Sequence, residues 1–130
     1  MAQLTSQQVN ELANYFLTMA QAIGDYRVNN FDALSKEENQ KTADLFDSIL
    51  KYADDLFTLS AILVMEDVHT SLSSIGDITN KMKSTFKTLQ DIQKVINIAA
   101  SVVTLGEAIV KKNPQAIADA IGGLAGTLKA

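Results

Sequence analysis

The chain has 130 residues, 47% of them hydrophobic and 20% charged, with 1 Pro, 6 Gly and neither Cys nor Trp. That length suits one domain, the apolar fraction is too high for a disordered segment, and the missing cysteines exclude disulfide scaffolds, thiolate metal sites, iron–sulfur clusters and cysteine nucleophiles. A formal net charge of −4 with a pI near 4.8 argues against nucleic-acid binding, which needs a basic face.

Helical periodicity runs through nearly all of residues 1–130, and no stretch alternates apolar and polar over strand length, so the chain reads as a single all-α domain. The first predicted helix, about 5–27, opens on Thr5 with Gln8 three residues later, a capping box, with Leu4 and Val9 placed as a hydrophobic staple. Its stripe of Val9, Leu12, Ala13, Phe16, Ala20 and Ile23 gives one buried face, fading through 24–30.

A second capping box, Ser35 with Glu38, starts a helix predicted over about 36–74. Leu45, Phe46, Ile49, Ala53 and Leu56 form a broad stripe, continued more narrowly by Met65, Val68, Leu72 and Ile75. A pattern of 39 residues is long for a globular helix, so a kink within 65–74 is the alternative. The Ser-, Thr- and Gly-containing stretch 70–76 reads as the reversal, and Asp77 as the N-cap of a third helix over about 77–112. Asn113 then caps a fourth helix, about 114–129, with Pro114 at its first position. Gly122, Gly123 and Gly126 each weaken that helix by about 1 kcal/mol relative to alanine, so they are expected to serve close approach to a neighbouring backbone.

These lengths predict an antiparallel bundle of four helices built on a long two-helix hairpin, 36–74 and 77–112, flanked by two shorter helices. Residues 62–92 then protrude as a coiled-coil hairpin; with the kink, they fold down into a compact bundle of five helices. The hairpin organisation resembles small two-helix exported proteins that carry a Trp-x-Gly turn, with Gly76 at the reversal. This chain has no Trp, and no functional residue is carried over from them.

Charge is unevenly spread. Residues 1–77 hold 12 acidic and 4 basic side chains, and 78–130 hold 3 and 7, so the halves are expected to attract each other. Lys81, Lys83, Lys87, Lys94, Lys111 and Lys112 are the candidates for contact with an anionic partner or membrane. No signal peptide is read at the N-terminus, and the most apolar run, 95–110, is short of the roughly 30 Å hydrocarbon core, so the expected location is cytoplasmic or reached by a non-classical export route.

Chemistry is sparse. Glu66 and His69 form a Glu-x-x-His pair, but a di-iron bundle needs two such pairs, and this chain has one His. No serine near His69 sits in a strained elbow, and the Gly122–Gly126 segment lacks the Lys-Ser or Lys-Thr of a phosphate loop. No catalytic residue, cofactor or metal is therefore expected, and the aromatic residues are read mostly as core. The function expected is a non-catalytic bundle acting through a protein partner or a second copy of itself. Ile62, Met65, Leu72, Ile75, Met82 and Phe86 are the candidate interaction seam. The alternatives are a membrane-active, pore-forming or translocated, protein whose apolar C-terminal hairpin 95–129 engages a bilayer, and a small substrate or chaperone of a dedicated secretion system.

Overall fold

Local caps set the starts of the helices. In the computed structural model, which describes residues 2–58, 64, 65 and 67–129, the Thr5 hydroxyl accepts the Gln8 N–H at 3.2 Å and Gln8 Oε1 accepts the Thr5 N–H at 2.9 Å. Helix α1, Ser6–Asn29, grows from that box. A single 3-10 turn, Phe31–Ala33, leads into the Ser35–Glu38 box, whose two bonds of 2.8 and 3.1 Å open α2, Lys36–Thr58. Asp67 caps α3, Val68–Phe86, by accepting the Thr70 N–H, and Asp91 caps α4, Ile92–Val110, by accepting the Lys94 N–H.

The α4–α5 turn is a Schellman motif. Lys112 N–H bonds to the Ile109 carbonyl and Asn113 N–H to that of Ala108, with Lys112 held at φ 58°. Asn113 Oδ1 then accepts the N–H groups of Gln115 and Ala116 and so caps α5, Pro114–Lys129, with Pro114 at its first position as expected.

Among the described residues the result is an all-α bundle of five helices, with one short antiparallel pair in which β1 (Ala2–Gln3) meets β2 (Val64–Met65). Two expectations are corrected. The predicted helix 36–74 is divided between α2 and α3, and the predicted helix 77–112 is divided by residues 87–91. The stretch 70–76 is not a reversal and Asp77 is not a cap, since both lie inside α3. Leu72 and Ile75, three residues apart, are buried there, and Gly76 meets α1 so closely that a Cβ would lie 2.8 Å from the Tyr15 hydroxyl. Gly76 at a reversal was the residue behind the likeness to the small exported hairpins, and that basis is gone.

The described residues of 62–92 do not protrude: they fold down, as in the alternative with a kink within 65–74, into a bundle of five helices. Helix α1 packs on α2 and α3, α2 on α4, α4 on α5, and α5 back on α3, which closes the helices into a ring. Tyr15 beside Gly76 and Tyr26 beside Phe86 show that α1 and α3 run in the same direction. The core fills the ring from all five helices, with Leu12, Phe16 and Met19 of α1, Ile49 of α2, Ile75 and Met82 of α3, Ile98 and Leu105 of α4 and Leu124 of α5 fully enclosed. At Gly106 a Cβ would overlap the Tyr52 ring, so glycine there sets how closely α2 and α4 approach.

Candidate functional sites

The expected interaction seam is closed. Leu72, Ile75, Met82 and Phe86 are at most 7% exposed and belong to the core within one chain. Met65 is placed as the backbone partner of Ala2, while Ile62 and Glu66 lie outside the described residues. The lysines do not form one face either. Lys94 and Lys111 lie towards opposite ends of α4, 17 residues and so about 26 Å apart. Of the six, Lys83 and Lys87 come together, at the mouth of a groove of about 340 Å³ between α1 and α3 that Asp25 also lines. Glu107 and Lys111 pair within α4 at 2.8 Å, which holds the Glu107 carboxyl below its usual range and the Lys111 ammonium above its own.

Two other grooves have a chemistry that can bind. The larger, about 560 Å³, runs between the antiparallel helices α4 and α5 over Ala108, Ala116, Ala120, Gly123 and Leu124. Its polar groups are already used. Ser101 and Thr127 share a hydrogen bond of 3.3 Å across it, Thr104 donates to the Ala100 carbonyl, and Gln115 donates to Asp119 at 2.9 Å. Beside it, Gly122, Gly123 and Gly126 are exposed, and a Cβ on any of them would meet nothing within 4 Å. The expectation that these glycines admit a neighbouring backbone within the chain is therefore not met among the described residues.

The third groove, about 520 Å³, lies between α1 and α2 at the end of the bundle where the 3-10 turn sits. Gly24 opens it, because a Cβ there would lie 3.0 Å from the Phe46 ring. Val28 is 71% exposed and Phe31 54%, so the sequence expectation that the aromatic residues are mostly core fails at Phe31 and again at Phe57, 44% exposed. The Arg27 guanidinium carbon stands 5.8 Å over the Phe31 ring, and Arg27 Nε is buried with no hydrogen-bond acceptor. Asp25 and Asp47 line the same groove and make no hydrogen bond or ion pair with another described residue. The signal for this site in the sequence was faint: Val28 and Phe31 are large apolar residues in a polar stretch, off the stripe of the first helix.

Among the described residues the titratable side chains other than the buried Tyr26 are exposed or half-buried. Among the described residues no group of three His, Cys, Asp or Glu could hold a metal ion. Tyr15 donates to Glu11 at 2.7 Å, and that bond pushes its pKa up to about 12. Burial raises Tyr26 and Tyr52, and the backbone N–H of Thr70 lowers Asp67. Helix α4 is long and apolar enough to cross a membrane by length and composition, with half of that window buried in the bundle. Comparison of the chain with family models, curated proteins and solved structures finds no match.

Proposed function

We propose that the chain is a non-catalytic helical module that acts by self-association, α5 of one copy lying antiparallel on α5 of a second. The observation that carries this is the open glycine face. Three glycines in an exposed helix cost about 1 kcal/mol each relative to alanine, and no contact among the described residues requires them. Close approach of a second helix requires them. Charge fits the same geometry. Gly122 and Gly126 lie two residues either side of Leu124, and Asp119 and Lys129 five residues either side, on the solvent face of α5. An antiparallel pair centred on Leu124 therefore sets glycine against glycine and, twice over, Asp119 against Lys129.

One 16-residue helix per copy makes an interface at the small, transient end of the size range, below roughly 1,200 Å², so a weak dimer is expected. Light scattering over rising protein concentration tests it. The mass should climb towards that of a dimer, Asp119→Lys and Lys129→Asp should each prevent the rise, and the two changes together should restore it. A wild-type mass that stays monomeric at the highest concentration reached would sink the reading.

A second reading, a chain whose α4–α5 hairpin engages a bilayer, draws on the length and apolarity of α4. Dye release from anionic vesicles is the measurement, and intact vesicles would set it aside.

A further inference from the structure

We propose that the groove between α1 and α2 docks a polypeptide segment that pairs an apolar side chain with a basic one. This surface lies on helices other than the α5 face and does not depend on self-association.

The warrant is a set of groups that the fold leaves unused at one place. Val28 and Phe31 are two of the four large apolar residues exposed among the described residues; Val28 lines a cavity of about 520 Å³, and Phe31 lies next to it under the guanidinium of Arg27, which lines the same cavity. Large exposed apolar groups beside an arginine are typical of the centre of a protein interface. Arg27 Nε is a buried N–H without an acceptor, and such a donor is normally satisfied. Arg27 stands over the Phe31 ring, so the two side chains present one joined surface beside the groove.

Charge selects the partner. Asp25 and Asp47 make no ion pair with a described residue, and with Arg27 also lining it the groove carries a net charge of −1. A purely apolar segment would leave both carboxylates facing it, and an acidic one would be repelled. A lysine or arginine placed beside its apolar anchor meets Asp25 or Asp47 while the anchor covers Val28, Phe31 and the Phe46 ring.

The test uses the full chain with three synthetic peptides of equal length. One is an amphipathic leucine–lysine peptide; the controls are a leucine–glutamate peptide and a serine–lysine peptide with the same charge as the first. Backbone amide shifts should move on adding the leucine–lysine peptide, and residues 21–31 and 43–47 should move most. Neither control should reproduce this. Phe31→Ala changes no charge, and it should weaken binding about tenfold, the equivalent of 1.4 kcal/mol. Asp47→Asn should weaken it by a smaller factor that fades with added salt. The idea is overturned if the leucine–glutamate or serine–lysine peptide binds as well as the first, if the shifts fall elsewhere, or if Phe31→Ala binds like wild type while keeping its amide spectrum. The light-scattering mass of Phe31→Ala should match wild type, which separates this result from any failure of α5 pairing.

Discussion

The same substitution, glycine to alanine, should have opposite signs at two positions of this chain. At Gly106 in α4 the gain in helix propensity is about 1 kcal/mol. Against it, the new methyl would lie 2.8 Å from Cγ and 2.9 Å from Cε2 of Tyr52, well inside contact distance. Overpacking of that kind costs roughly 1–3 kcal/mol, so the net effect is a loss of about 1 kcal/mol. At Gly122 in α5 a Cβ meets nothing within 4 Å, and the propensity gain of up to about 1 kcal/mol is unopposed. For a chain of this size 1 kcal/mol moves Tm by about 4 °C. Thermal unfolding followed by circular dichroism in dilute solution should therefore place Gly106→Ala about 4 °C below wild type and Gly122→Ala up to about 4 °C above it. A Gly106→Ala protein as stable as wild type would mean that Tyr52 does not lie against α4. A Gly122→Ala protein that is less stable in dilute solution would mean that this face is covered within the monomer. At high concentration the advantage of Gly122→Ala should shrink, because the methyl then stands in the α5–α5 contact.

Other expectations follow from single contacts. Phe16 is fully enclosed in the ring, and Phe16→Ala should cost about 3–5 kcal/mol, read as a lowered urea midpoint with an unchanged slope. Lys112 holds a left-handed conformation that glycine adopts without penalty, so Lys112→Gly should raise stability by up to about 1 kcal/mol; an unchanged midpoint would count against the Schellman turn. Tyr15 should ionise near pH 12 by phenolate absorbance, and Glu11→Gln should bring it back towards 10. Because the folded pKa is raised, the stability this bond contributes is full below about pH 10 and is lost as the pH rises towards 12.

How much was legible depended on how far apart the interacting residues are in sequence. The caps at Thr5, Ser35 and Asn113 could be read directly, because each joins a side chain to an N–H two or three residues away. Asp67 and Asp91 use the same bond, but Thr70 and Lys94 in place of Glu or Gln hide the box pattern, so the sequence offers the first break only as the alternative kink within 65–74 and gives no sign of the second. The first break follows an apolar run with no period to separate helix from strand, and β2 forms within it because β1 lies alongside. The second, 87–91, holds no glycine or proline to mark it.

For the candidate sites the limit was different. Val28 and Phe31 were visible as residues, but a stripe shows which face a helix prefers to bury and not whether a neighbour arrives to bury it. The same limit leaves the candidate seam through Leu72 and Met82 undecided in the sequence, and α1 and α5 close it.

By itself the sequence determined the all-α class, the absence of cysteine chemistry, and three helix starts, all of which rest on composition or on bonds between residues within a turn of one another. Only the tertiary structure decided the order of the helices in the ring, that Gly76 and Gly106 admit tyrosines while the glycines of α5 meet none of the described residues, and that Arg27 lines one groove with Asp25 and Asp47. Those outcomes depend on which surfaces meet. Burial of a face is a property of the pair that forms it, and neither member carries it alone.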